Sequence, residues 1–216
     1  DVLVVDEAHR LEGVLSSQLE KTASRHRVEE LLRLTGSMAG GRRGTSLLAR
    51  VRTFALPLLD AAANRERLFA ELERLSARAD ELRLDADALF SRLAVSGATG
   101  DGPYSRRVRH RDAAELFGRE LQSLEVVLEH ARAFADALRR AAGALQLAEG
   151  GQTSGVPSQE LQSELEIVSA RWQQLHDDLT SLADAGDRDW AYWRAQGPQS
   201  RIAELAKTQE RLDVKI

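Results

Sequence analysis

The sequence predicts a mainly α fold: an antiparallel bundle of long helices, preceded by a short N-terminal strand and followed by a C-terminal return segment. Apolar residues recur at steps of three and four over long stretches, which is typical of helices that bury one face. Glycine-rich breaks separate these stretches, so consecutive helices are expected to pack antiparallel. The 216 residues are 43% hydrophobic, 30% charged and 5% aromatic, a globular composition that favours helices over a β-sandwich.

The short strand is expected over residues 2–5, which are apolar and mostly β-branched, as in strands buried within a parallel sheet. Asp6 and Glu7 follow at its carboxyl end, where open α/β sheets bind their ligands. Two adjacent carboxylates in this position are typical of nucleotide hydrolysis. Asp6 could hold Mg²⁺, and Glu7 could orient and deprotonate the attacking water.

Three long helices are expected near residues 66–95, 112–148 and 158–185. Their apolar stripes, together with Trp172, are interpreted as core rather than as sites. Asp112 is expected to cap the second of these helices, because its side chain can accept a hydrogen bond from a free backbone N–H at the helix start.

Shorter elements are expected on either side. One helix is predicted from about Glu7 to Lys21, a second amphipathic stretch ends at Gly36, and residues 46–63 form another helix candidate. Near the C-terminus, residues 190–193 have the composition of a strand. Residues 200–212 fit either a helix or a strand.

The segment over residues 36–46 has some features of a phosphate-binding loop. Gly36 and Gly41 have the required spacing, but Arg42 and Arg43 stand where the lysine and hydroxyl should be, and no strand precedes the segment. We interpret it as a linker. No other stretch fits the pattern, so the chain by itself is expected not to hydrolyse ATP.

The run Asp6-Glu7-Ala8-His9, following an apolar strand, resembles the DEAH form of motif II in helicases. The longer run over residues 4–12 is similar to the DinG/XPD-like family of ATP-dependent 5′→3′ DNA helicases, in which a helical insertion called the arch follows motif II. The resemblance implies that residues 1–13 are the motif II strand and the start of a helix. Residues 14–187 would then be the helical arch, and residues 188–216 a return segment to the α/β motor domain. The sequence is accordingly predicted to be a fragment of a larger protein.

The resemblance also implies roles and ligands. Glu7 would be the general base, Asp6 would bind Mg²⁺, and His9 would sense the bound nucleotide, so ATP and Mg²⁺ are the implied cofactors of the longer protein. The implied partners are single-stranded DNA and the remainder of the helicase motor domains. The chain contains no cysteine, so no cysteine-ligated iron–sulfur cluster can lie within it.

The most basic stretch of the sequence covers residues 104–111. Since the net charge of the chain is −4, any nucleic-acid contact must come from a local patch such as this one. Its arginines would neutralise phosphates, and its tyrosine could stack on a base. The candidate residues are Tyr104, Arg106, Arg107, Arg109 and Arg111, with His110 among them. The alternative is a solvated loop that makes ion pairs with acidic helices.

The sequence shows no membrane span and no signal peptide, and together with the lack of cysteine this leads us to expect a cytoplasmic protein without membrane contact. A competing function is a structural helical-bundle module that binds a protein partner, with the acidic motif incidental. The residues that precede Asp1 in the longer protein would discriminate, because a Gly-Lys-Thr loop there would favour the helicase.

Overall fold

A computed structural model of the chain describes residues 21–36, 46–55, 62–96, 106–148, 156–186, 190–196 and 203–209. Helices dominate these residues and are accompanied by a small antiparallel sheet, so the mainly α prediction is confirmed. The helices are α1 (Arg25–Thr35), α2 (Leu47–Arg50), α3 (Ala62–Ser96), α4 (Ala113–Phe117), α5 (Leu121–Ala148) and α6 (Val156–Ala183). A π-helical turn at Val51–Ala55 continues α2, and a 3-10 turn at Gly118–Glu120 joins α4 to α5. The strands are β1 (Lys21–Ser24), β2 (Arg106–His110), β3 (Trp190–Gln196) and β4 (Ala203–Gln209).

The three long helices lie close to their predicted positions, as α3, the α4–α5 segment and α6. The prediction that a helix extends to Lys21 is wrong at that end, because Lys21 begins β1 and pairs with Lys207 of β4. The pairing partner is distant in the sequence, so local apolar spacing could not reveal it. The predicted strand over residues 190–193 is confirmed as part of β3, and the ambiguous segment over 200–212 contains the strand β4.

The described residues divide into two compact units. We call the first the sheet unit; it takes its residues from Asp1–Ser24, Phe90–Leu121 and Asp178–Ile216. We call the second the bundle unit; it covers Arg25–Leu89 and Gln122–Asp177.

In the bundle unit, α3 and α5 run antiparallel. Glu71 lies near Arg140, with 3.5 Å between the carboxylate and guanidinium atoms, and Asp85 lies 3.1 Å from the Nδ1 atom of His130. Residue numbers therefore rise along one helix while they fall along the other. This direction is the one that the short breaks in the sequence predict.

Helices α5 and α6 also pack antiparallel. The rings of Phe134 and Trp172 meet edge to face, with their centroids 5.0 Å apart. One turn away, the Ser169 hydroxyl donates a hydrogen bond to the Ala135 carbonyl oxygen at 2.9 Å. The apolar stripes predicted from sequence form this core, and a buried leucine of this kind stabilises the fold by roughly 1.5–3 kcal/mol. The fully buried stripe residues include Leu68, Leu75, Leu82 and Leu89 on α3, Ala131, Ala135 and Leu138 on α5, and Leu165, Trp172 and Leu175 on α6.

Gly36 ends α1 with φ at +94°, a left-handed conformation that favours glycine. Its N–H donates to the Leu32 carbonyl oxygen at 2.8 Å. A Cβ atom at this position would lie 1.9 Å from the Cβ of Ser46, the residue that caps α2. Gly36 is therefore required by the packing of two helix ends, and residues 37–45 of the predicted linker lie outside the described residues.

The described residues of the sheet unit form four antiparallel strands in the order β1-β4-β3-β2. One face of the sheet is buried, and Ala23, His110 and Tyr192 lie on it. Backbone contacts attach α4 to the end of α6, since the Ala113 N–H donates to the Ala185 carbonyl oxygen at 3.2 Å. The sheet thus carries the predicted basic stretch on β2, at one edge of the described strands.

Candidate nucleic-acid interface

The residues of the predicted nucleotide site, Asp6, Glu7 and His9, lie outside the described residues, and so does Tyr104. Their proposed roles in Mg²⁺ binding, general base catalysis, nucleotide sensing and base stacking therefore stay predictions. The backbone of the basic stretch is described from Arg106 to Arg111, and among its arginine side chains those of Arg109 and Arg111 are described.

The basic stretch forms a strand rather than a loop from Arg106 to His110. The choice between nucleic-acid contacts and ion pairs in solvent stays a prediction. The strand pairs antiparallel with β3, from Arg106 opposite Gln196 to His110 opposite Tyr192. Arginine is not a strong strand former, so the pairing with β3 decides the conformation by satisfying backbone hydrogen bonds.

Successive side chains of a strand point to opposite faces, and this alternation separates the residues of the basic stretch. His110 lies on the buried face, with 9% of its surface exposed. Arg109 lies on the other face and is exposed, and Arg111 is exposed just beyond the strand. Arg109 and Arg111 are therefore accessible to a ligand, whereas the side chain of His110 is buried on the opposite face.

The end of β2 is held in place by a helix cap. The Asp112 side chain accepts a hydrogen bond from the Glu115 N–H at 2.8 Å, which confirms the predicted cap of α4. In return, the Glu115 carboxylate accepts a hydrogen bond from the Arg111 N–H at 2.9 Å. This reciprocal arrangement resembles a capping box and fixes the backbone of Arg111 next to the exposed arginine of the strand.

His110 faces a half-buried cation. Burial lowers the pKa of His110, and the nearby charge of Arg194 lowers it further, while the carboxylates of Glu115 and Asp112 oppose these effects. The Arg194 guanidinium donates a hydrogen bond to the Leu116 carbonyl oxygen at 3.4 Å, and burial lowers its pKa as well. The structure therefore places His110 on the buried face of β2, apart from the exposed Arg109, and its predicted membership of the basic site stays a prediction.

Trp193 is a candidate residue that the sequence reasoning did not single out. It lies directly opposite Arg109 in the register, and its side chain is partly exposed. The signal was available in the run of residues 190–193: once Tyr192 is assigned to the core, alternation puts Trp193 on the opposite face. The sequence could not pair Trp193 with Arg109, because register depends on the tertiary fold.

The bundle unit contains a groove between α3 and α5, with a volume of about 360 Å³. Arg74 and Arg78 line it together with Glu81 and Glu129. Because the opposite charges offset one another, the groove favours neither an anionic nor a cationic ligand. It is a weaker nucleic-acid candidate than β2.

Within the described ranges, no group of three or more histidine or carboxylate side chains could hold a metal ion, and none of the helices there is long and apolar enough to cross a membrane. In comparisons with known proteins, no family model, no curated protein and no solved structure matches this chain. The function of the candidate site is therefore inferred from the chemistry of its own residues.

Proposed function

We propose that this chain is part of an ATP-dependent DNA helicase that couples ATP hydrolysis to translocation on single-stranded DNA. The observation that carries the proposal is the sequence Asp6-Glu7-Ala8-His9 immediately after an apolar run. It is supported by the long helices that follow, in the position where the DinG/XPD-like family has its arch. Residues 14–187 would be this arch, and the strands β3 and β4 would belong to the return segment.

In this proposal Glu7 is the general base toward the water that attacks the γ-phosphate, and Asp6 holds Mg²⁺. His9 couples the bound nucleotide to the parts of the protein that contact DNA. The phosphate-binding loop would come from the remainder of the motor domain, because none of the chain's own segments has that pattern.

Single-stranded DNA would run along β2. Exposed Arg109 and Arg111 support this path, because guanidinium groups neutralise phosphates without reading bases. Another explanation competes with this DNA path. β2 lies at the edge of the described strands, and charged residues on an edge strand also prevent pairing with the strands of other molecules. Salt-dependent binding measurements separate the two.

The ATPase proposal is tested in the longer protein that contains this chain. Glu7→Gln keeps the shape of the side chain but removes the base, so turnover stimulated by single-stranded DNA should fall by about 10²–10⁴-fold while nucleotide binding persists. Glu20→Gln is the matched control and should leave turnover unchanged. Near-normal ATPase activity in Glu7→Gln would contradict the proposal, and so would a lack of DNA-stimulated activity in the unaltered protein. Either result would favour the alternative, a helical bundle that binds a protein partner.

The DNA path is tested by replacing Arg106, Arg107, Arg109 and Arg111 with alanine. Affinity for single strands should fall equally for all sequences, and the log–log slope of affinity against salt should flatten by ~0.7 for each phosphate that is no longer neutralised. Unchanged affinity and slope would exclude β2 from the DNA path. A decrease confined to particular sequences would instead indicate base readout.

A further inference from the structure

The outer face of the sheet, opposite the buried face that holds Tyr192, carries a row of four paired positions. Arg109 pairs with Trp193, Trp193 with Ala206, and Ala206 with Thr22, so the row crosses all four strands. Trp193 is the one aromatic residue in this row, and it stands next to an exposed cation.

The positions around Trp193 are small. Residues 191 and 195, two positions away along β3, are both alanine, and so is residue 206 on the neighbouring strand. A partly exposed indole beside small residues can offer a flat π surface to a ligand. Burying a tryptophan in the core is the usual way to use its apolar area, and Trp172 is fully buried in this way in the bundle unit.

We infer that Trp193 stacks on a base of single-stranded DNA while Arg109 contacts the adjacent phosphate. This inference rests on the proposed function, because it assumes the DNA path along β2. It adds the residue that holds a base. A partly exposed aromatic side chain next to an exposed arginine is suited to single strands, because unstacked bases expose their π faces and duplex bases do not. Such binding tolerates any sequence, which is what a translocating protein needs.

Charge favours a nucleic acid as the occupant of this face. Four arginines lie within residues 106–111, and Arg109 and Arg111 are exposed. Two carboxylates, Asp112 and Glu115, follow Arg111 and take part in the helix cap, so they offset part of this charge. Within the strand register the nearest acid is Glu204, which pairs with Ala195 rather than with Trp193. A protein partner with an apolar surface would gain little from this concentration of positive charge.

The test measures binding of this chain to a fluorescent thymidine oligomer of about 12 nucleotides, at several salt concentrations. Trp193→Leu and Trp193→Phe both keep an apolar side chain on the sheet, but only phenylalanine keeps a π face. We expect Trp193→Leu to weaken binding about tenfold with an unchanged salt slope, and Trp193→Phe to stay within about threefold of the unaltered chain. Arg109→Ala should instead flatten the slope by ~0.7, because it removes a phosphate contact.

Matched controls come from the bundle unit. Phe69→Leu removes an aromatic ring that is 47% exposed, and Arg132→Ala removes an exposed cation; neither should change binding. Stacking also quenches indole fluorescence, so the oligomer should quench the emission of the unaltered chain more than that of Trp193→Phe. Equal quenching of the two would contradict the stacking of Trp193.

The stacking site is overturned if the oligomer does not bind, if Trp193→Leu binds like the unaltered chain, or if leucine and phenylalanine weaken binding equally. Duplex DNA bound as tightly as the single strand would overturn it as well. A failure of the helicase proposal looks different, because it appears as absent DNA-stimulated ATPase in the longer protein. Binding that depends on Trp193 can be present without that activity, and the activity can be present without any effect of Trp193→Leu.

Discussion

His110 of β2 lies directly across from Tyr192 of β3, and both side chains are buried on the core face of the sheet. The Tyr192 hydroxyl oxygen accepts a hydrogen bond from the Gly186 N–H at 3.3 Å, which links β3 to the segment after α6. Arg194, two residues further along β3, lies on the same face. Protonation of His110 would therefore place a second positive charge beside Arg194 in a desolvated region.

Stability should fall in mild acid because of His110. Its pKa is lowered by burial and then by Arg194, so in the folded protein it lies below the value of about 6.5 in the unfolded chain. As pH falls below that value the unfolded chain binds more protons, and the free energy of unfolding decreases until pH has passed the folded-state pKa. The contribution of His110 to the free energy of unfolding is thus fully present above about pH 6.5.

The measurement is urea unfolding between about pH 7.5 and about pH 5, comparing the unaltered chain with His110→Gln. The variant should show a weaker pH dependence over this window, because glutamine does not titrate. His26→Gln, which makes the same replacement at an exposed histidine of α1, is the matched control. An identical pH profile for His110→Gln and the unaltered chain would contradict the prediction.

Thr35 and Trp172 form a buried polar pair in the bundle unit, both with 0% of their surface exposed. The Trp172 indole N–H donates to the Thr35 hydroxyl at 3.3 Å, and that hydroxyl donates to the Leu31 carbonyl oxygen at 2.6 Å. Thr35→Val preserves shape but leaves the indole N–H buried without its partner, which should cost about 1–3 kcal/mol of unfolding free energy.

A double-mutant cycle with Trp172→Phe isolates the interaction between the two side chains. Because both single changes remove the same hydrogen bond, their effects should not be additive, and the coupling should reach about 0.5 kcal/mol or more. Thr53→Val, at an exposed threonine of the π-helical turn, should be nearly neutral. Additive effects of the two buried changes would show that the hydrogen bond contributes nothing to stability.

Leu124→Asp should unfold the bundle unit. Leu124 is 1% exposed on α5, and an aspartate there would bury a carboxylate without a partner, which should destabilise the fold by at least about 3 kcal/mol. Leu84→Asp is the control, because Leu84 is 60% exposed on α3 and should tolerate the charge. Circular dichroism should show disappearance of the helical double minimum in the first variant only; a folded Leu124→Asp protein would refute the packing.

The chain by itself should release phosphate from ATP only at background rates, with or without single-stranded DNA. The reason is the missing phosphate-binding loop, which supplies the lysine and the Mg²⁺-binding hydroxyl for phosphoryl transfer. A phosphate-release assay on the purified chain tests this. Turnover that disappears in Glu7→Gln would show that the chain contains a complete nucleotide site.

The sequence by itself determined the long helices, their buried stripes and the cap at Asp112. Helical periodicity and capping involve residues three or four apart, so the information lies within a few turns of the chain. For the same reason Leu124 and Trp172 could be assigned to the core, and both are buried. The acidic motif at Asp6 and Glu7 is also a local pattern, and its chemical role stays a prediction.

The tertiary structure decided the conformation of the basic stretch and the neighbours of each of its residues. Arg106 to His110 become a strand because β3, far along the chain, supplies the pairing partner. A register shifted by one residue would exchange the two faces and bury Arg109 in place of His110. Only the fold could therefore place His110 beside Tyr192 in the core and Arg109 beside Trp193 on the outer face, since pairing across strands depends on distances that local sequence does not specify.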